Sequence, residues 1–148
     1  MPESVPSTAE VSKSPIVLCA GIIVRDVVAD LRPRRIAATP DGRDLRVTAE
    51  LAGEVDIVDR ATFAITGKIP FLPPGMRKSE VTPVGLVMTK DGRTAFVALG
   101  HAAHVALVDV PARKVLGYIL VGKRPWGLTL SRDESTSMSP TASATTSP

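Results

Sequence analysis

Residues 33–43 of the chain read PRRIAATPDGR, residues 83–93 read PVGLVMTKDGR, and residues 125–133 read PWGLTLSRD. Each stretch begins with proline, continues through a short aliphatic run and ends in a polar segment that contains an aspartate. The first and second stretches begin 50 residues apart, and the second and third begin 42 residues apart. A unit that recurs with a period of roughly 40–50 residues predicts a modular array, here the blades of a β-propeller.

The two spacings differ because the first unit contains an insertion. The extra length lies within residues 71–82, since the matching stretch after Ile119 reaches Pro125 sooner. The basic unit is therefore about forty residues, which is the length of a four-stranded blade.

Within each unit the pattern is that of strands separated by tight turns. Asp41-Gly42 and Asp91-Gly92 are strong hairpin signals, because glycine adopts positive φ without strain and aspartate bonds its own following backbone. We predict strands at 34–39, 45–50, 54–59, 65–71, 84–89, 94–99, 104–109 and 115–121. Residues 22–30 are predicted to form the last strand of an earlier blade, and residues 126–131 the first strand of a later one.

The predicted fold class is all-β, a partial propeller with two complete four-stranded antiparallel blades near residues 33–82 and 83–124. Partial blades flank them, the later one at residues 125–133. Closed propellers typically have four to eight blades, so we expect the chain to be a piece of a larger propeller. Uncovered blade edges predict self-association.

The two ends of the chain have a different character. Residues 1–21 are poorly defined. An apolar run at 15–24 begins within them; it is a candidate for a signal sequence, a buried strand or an incorrect start, and it is too short to span a bilayer. Residues 134–148 are rich in Ser, Thr, Ala and Pro, which predicts either a disordered tail or the product of a frameshift.

Several phrases resemble a known repeat family. Residues 39–43 (TPDGR), 55–59 (VDIVD) and 121–127 (VGKRPWG) are similar to the YVTN family of β-propeller repeats. More narrowly, residues 69–77, with their Pro-Pro-Gly, and residues 124–128 (RPWGL) resemble the β-propeller proteins associated with PQQ-dependent catabolism.

This resemblance implies a non-catalytic binding or scaffold protein in the periplasm, alongside a quinoprotein alcohol dehydrogenase system. The signal sequence is not convincing, so the sequence leaves a cytoplasmic location open. Two alternatives stay open as well: a propeller enzyme of the lactonase type, and a truncated, inactive fragment of a larger propeller.

Five residues are candidates for a ligand or partner surface. Arg77 and Lys78 lie in the insertion, where extra residues of a repeat array usually form a surface loop. His101 and His104 are the two histidines of the chain, and a structural or solvent-facing role competes with metal binding. Trp126, the single tryptophan, is a candidate either for stacking on a ligand in the central channel or for packing between blades.

We assign no catalytic, cofactor-binding or metal-ligating residue from the sequence, and no cofactor. Asp59 and Asp109 recur at strand ends, where a turn-capping role explains them. The net charge of +3 comes from basic residues interleaved with acidic ones, and aromatic residues amount to 3%. Without a basic stripe or a stacking platform, nucleic acid is not an expected partner. The partner is expected to be a protein or a small molecule.

Overall fold

The computed structural model describes the backbone of residues 14–17, 23–133 and 137–138, and the side chains of residues 26–133. The elements in chain order are β1 (Ser14–Val17), β2 (Ile23–Val27), β3 (Pro33–Ala38), β4 (Asp44–Ala49), β5 (Glu54–Asp59), β6 (Ile65–Pro70), a 3-10 helix (Lys78–Glu80), β7 (Pro83–Met88), β8 (Thr94–Leu99), β9 (His104–Asp109), β10 (Lys114–Leu120), β11 (Thr129–Leu130) and β12 (Ser137–Met138).

Strands β3 to β6 form one four-stranded antiparallel sheet in sequential order, and β7 to β10 form a second of the same topology. These sheets are the two predicted blades, and each strand bound lies within one residue of its prediction. The 50-residue repeat is therefore a repeat of structure.

Two short antiparallel pairs flank the blades. β1 pairs with β2 in one of them, and β11 pairs with β12 in the other. β2 lies within the predicted strand at residues 22–30, and β11 lies within that at residues 126–131. β1 overlaps the apolar run at 15–24, for which a buried strand was one of the alternatives, and β12 falls in a segment for which no strand was predicted. The other residues of 1–21 and 134–148 lie outside the described part of the chain.

The recurring Thr-x-Asp phrase builds the first hairpin of each blade. The Thr39 hydroxyl donates to Asp41 Oδ1 at 2.6 Å and accepts the Asp44 backbone N–H at 3.1 Å. Thr89 and Asp91 repeat this arrangement. Gly42, at φ 73°, completes the first of these turns. The turn is thus specified by side chains as well as by the Asp-Gly pair.

The main core lies between the two blades. It combines Val55, Ile57, Ile69 and Phe71 of the first blade with residues such as Leu86, Val97 and Leu99 of the second. A smaller cluster of Val27, Val47 and Val58 covers the opposite face of the first blade. Both faces of β5 are therefore buried, which explains why Val55 and Ile57 on one face and Val58 on the other are all apolar.

Candidate functional site

The insertion loop, residues 71–82, is anchored in the core at both ends. Phe71 and Val81 are buried in the core between the blades. Between them the chain turns at Gly75, at φ 81°, and enters the short 3-10 helix. Arg77 and Lys78 are exposed there, and the Arg77 backbone N–H donates to Glu80 Oε2 at 2.8 Å. The predicted surface loop is present, and the side chains of Arg77 and Lys78 face solvent.

A tyrosine of the second blade also holds this loop through a hydrogen bond. The Leu72 backbone N–H donates to the Tyr118 hydroxyl at 2.9 Å. The ring of His104 meets the ring of Tyr118 edge-on, with 6.4 Å between centroids. His104 therefore packs against the tyrosine that contacts the insertion loop.

The two histidines have separate local environments. His101 is exposed, and its backbone N–H donates to Thr82 Oγ1 at 2.8 Å. The Nδ1 atom of His104 lies 2.5 Å from the Ala102 carbonyl oxygen. Among the side chains that the structure describes, the group of three that could share a metal ion is made of carboxylates, and neither histidine belongs to it.

Trp126 lies beside two arginines. The guanidinium of Arg124 is 5.5 Å from the indole centroid, and that of Arg34, on β3 of the first blade, is 5.7 Å away. Distances below about 6 Å fit cation–π interactions. Trp126 remains 38% exposed. We call Arg34, Arg124 and Trp126 the arginine–tryptophan surface.

The backbone of Trp126 is packed tightly on the second blade. A Cβ atom added at Gly85 would come within 2.6 Å of the Trp126 carbonyl oxygen and 3.0 Å of Gly127 Cα. Pro125 is buried on the other side of the peptide. The Trp126 backbone therefore packs against the second blade while its ring stays accessible, and ligand stacking by the ring stays a prediction.

A buried acid neutralises part of the positive charge at this surface. The carboxylate of Glu50 receives a hydrogen bond from Arg34 Nε, and its Oε2 atom lies 3.3 Å from Arg32 Nε. Two arginines share one carboxylate, so the group retains positive charge. Opposite charge on a ligand would be stabilised here.

The repeated aspartates at strand ends are turn caps. Asp59 Oδ1 accepts the N–H groups of Ala61 at 2.8 Å and Thr62 at 2.9 Å, and Asp109 Oδ1 accepts that of Ala112 at 2.9 Å. These backbone bonds hold the pKa of Asp59 below its ordinary value. The capping prediction is confirmed for both aspartates.

Sequence reasoning missed two groups of residues. The contact of Arg34 and Arg124 with Trp126 was not predicted, although each arginine lies next to the proline that begins a repeat. Three carboxylates, those of Asp30, Glu54 and Asp56, converge beside the first blade. The sequence does mark this acidic group as unusual, because the residue of the second blade that corresponds to Asp56 is alanine, at position 106.

No protein-family model matches the chain. A search of curated proteins also finds no match. Among solved structures, the chain is similar to one titled Kuenenia stuttgartiensis Hydrazine Synthase, with a TM-score of 0.66 and 27% sequence identity. The similarity covers 76% of this chain but 30% of that protein, so the chain spans less than a third of its length. That neighbour contains a β-propeller.

Among the residues described, no helix has the length and apolar character needed to cross a membrane. Two sequential four-stranded antiparallel sheets, stacked through their apolar faces and matched by this structural neighbour, show that the chain has the fold of a partial β-propeller.

Proposed function

We propose that the chain is part of a non-catalytic β-propeller that binds an acidic partner through its arginine–tryptophan surface. The observation that carries this proposal is the pair of guanidinium groups, from Arg34 and Arg124, within 6 Å of an exposed indole. Guanidinium groups pair with carboxylates in a bidentate geometry, and the indole adds a flat apolar face.

The position of the surface supports a binding role. β3 and β7 are the first strands of their blades and face each other where the two sheets meet. Trp126 lies in the next repeat, just before β11, and its backbone packs against Gly85 of β7. First strands of successive blades line the channel of a propeller, and concave sites of this kind commonly bind ligands.

The identity of the partner rests on the sequence resemblance. We propose a component of a quinoprotein alcohol dehydrogenase system in the periplasm, as the resemblance to the PQQ-associated propeller proteins implies. The insertion loop, with Arg77 and Lys78, is the alternative location for the site that binds this partner. A lactonase-type enzyme and an inactive fragment remain alternatives.

Binding of an acidic polymer tests the chemistry first. We would titrate the full chain with poly-L-glutamate at low and high salt and follow binding by calorimetry and by the fluorescence of Trp126. We expect Arg34→Gln with Arg124→Gln to weaken binding at least tenfold. Arg77→Gln with Lys78→Gln is the matched control, because it removes the same charge from the insertion loop, and it should bind as the wild type does.

Loss of binding in the loop variant alone would move the site to the insertion loop and contradict the proposal. Absence of binding to both poly-L-glutamate and a purified quinoprotein alcohol dehydrogenase would reject it. Hydrolysis of a lactone above the buffer rate would favour the enzyme alternative instead.

A further inference from the structure

An acidic cluster lies beside the first blade and shares no residue with the arginine–tryptophan surface. It consists of Asp30, in the connection between β2 and β3, and of Glu54 and Asp56 on β5. Residues 54 and 56 point to the same face of their strand because side chains alternate along it. One carboxylate oxygen from each residue lies within 4.8 Å of the others.

Asp56 has an unused acceptor atom in the protein interior. Its side chain is fully buried, and one carboxylate oxygen accepts the Asp30 backbone N–H at 2.8 Å. The other oxygen, Oδ1, is buried and has no hydrogen-bond partner among the described residues. Buried polar atoms are nearly always paired, so an orphaned carboxylate oxygen indicates a missing partner.

Lys68 is the cation that the cluster already contains. It lies directly across from Asp56 on β6, its ammonium bonds the Asp30 carboxylate, and its Nζ lies 3.2 Å from Glu54 Oε1. With all three carboxylates ionised, one ammonium leaves two negative charges unbalanced. Burial raises the pKa of Glu54 and of Asp56, and the neighbouring charge of Asp30 raises both further.

The second blade shows that the fold does not need these charges. His104, Ala106 and Tyr118 occupy the positions of Glu54, Asp56 and Lys68, 50 residues later. Ala106 is fully buried and pairs with Tyr118, as Asp56 pairs with Lys68. A blade of the same topology thus forms around alanine at this position. The buried aspartate of the first blade therefore calls for another explanation.

We propose that Asp30, Glu54 and Asp56 bind a calcium ion, with the ammonium of Lys68 occupying the site until the ion displaces it. Calcium prefers carboxylate oxygens at about 2.3–2.6 Å, and two such bonds span the separation of the three oxygens. Magnesium needs shorter bonds of about 2.0–2.1 Å and a stricter octahedron. The Lys68 side chain is 45% exposed, so its ammonium can turn into solvent.

The test is calorimetric titration of the full chain with calcium chloride at pH 7, with magnesium chloride in parallel. The thermal midpoint is measured with and without each salt. We expect calcium to bind and to raise the midpoint, and Asp56→Asn to weaken binding at least tenfold. Lys68→Gln should bind calcium more tightly than the wild type, because the competing cation is gone.

Asp109→Asn is the matched control, since it removes a carboxylate charge from the other blade while keeping an acceptor oxygen for the Ala112 N–H. It should bind calcium as the wild type does. Asp56→Ala, which copies the second blade, and Glu54→Gln repeat the test if Asp56→Asn does not fold.

The proposal is overturned if neither the wild type nor Lys68→Gln binds calcium, or if the Asp56 and Glu54 variants bind as the wild type does. Preference for magnesium over calcium would also reject the assignment. Weaker calcium binding by Lys68→Gln would show that the lysine supports the site rather than competing for it, contrary to the proposal.

Discussion

Ile69 and Ile119 occupy the same position in the two blades, 50 residues apart, yet Ile69 is 3% exposed and Ile119 is 50% exposed. Each pairs with a buried valine of its own sheet, Val55 and Val105 respectively. Ile69 is buried because the second blade packs over it. The equivalent face of the second blade is therefore apolar and exposed, as expected of a face against which a further blade packs.

This difference predicts unequal effects of the same truncation. Ile69→Ala should lower the free energy of unfolding by about 2–5 kcal/mol, the usual cost of removing a buried isoleucine side chain. Ile119→Ala should change it by about 0.5 kcal/mol or less, as is usual for exposed positions. Urea unfolding at low protein concentration measures both values. Equal losses would contradict the difference in burial.

Close backbone packing makes Gly85 sensitive to any side chain. Gly85→Ala places a Cβ 2.6 Å from the Trp126 carbonyl oxygen, so the segment around Trp126 must shift. We expect a loss of about 1–3 kcal/mol of stability and a changed Trp126 fluorescence spectrum. Gly117→Ala is the control, because no atom lies within 4 Å of its added Cβ. A spectrum unaffected by Gly85→Ala would contradict the packing of Trp126 on β7.

The strands could be predicted from the sequence because the repeat supplied two independent copies of each landmark. Apolar runs of β4 and β5 and the Asp-Gly turns lie at the same offsets in both blades. A strand at β1 was one of three alternatives for its segment, because Ser14–Val17 has no second copy with which to align it.

The sites were harder to predict because they depend on contacts between distant segments. Arg34 and Trp126 are 92 positions apart in the chain and meet only when the blades stack. The burial of Asp56 is also invisible in the sequence, where an aspartate within a strand suggests a solvent-facing position. Only the alanine at position 106 of the second blade marks it as unusual.

The turn aspartates predict a loss of stability in acid. The hydrogen bond from Thr39, and then that from the Arg43 backbone, hold the pKa of Asp41 below its ordinary value of 3.8; Thr89 and the Arg93 backbone do the same for Asp91. A carboxyl with a lowered folded pKa stabilises the fold fully above the unfolded value. This contribution disappears as the pH falls through the lower, folded pKa.

The measurement is the urea midpoint at pH 7, 4 and 3. The double variant Asp41→Asn and Asp91→Asn keeps the acceptor oxygens but cannot titrate. It should therefore lose less stability than the wild type does between pH 4 and pH 3. Parallel losses in both proteins would show that other groups cause the acid sensitivity.

The hydroxyl of Tyr118 predicts a local effect on the insertion loop. Tyr118→Phe leaves the Leu72 N–H without its acceptor, at a cost of about 0.5–1.5 kcal/mol, and loosens the loop. Trypsin should then cleave faster after Arg77 and Lys78, while cleavage after Arg93 in the hairpin turn serves as the internal reference. An unchanged ratio of cleavage rates would mean that the core contacts of Phe71 and Val81 hold the loop alone.

The central claim is that two equivalent blades need further stacked partners to cover their apolar faces. Light scattering coupled to size-exclusion chromatography of the pure chain tests it most directly. We predict a mass of two or more chains at micromolar concentration, shifted toward one chain by Ile119→Lys, which places a charge on the exposed face of β10. A monodisperse single chain that melts cooperatively at every concentration would contradict the account.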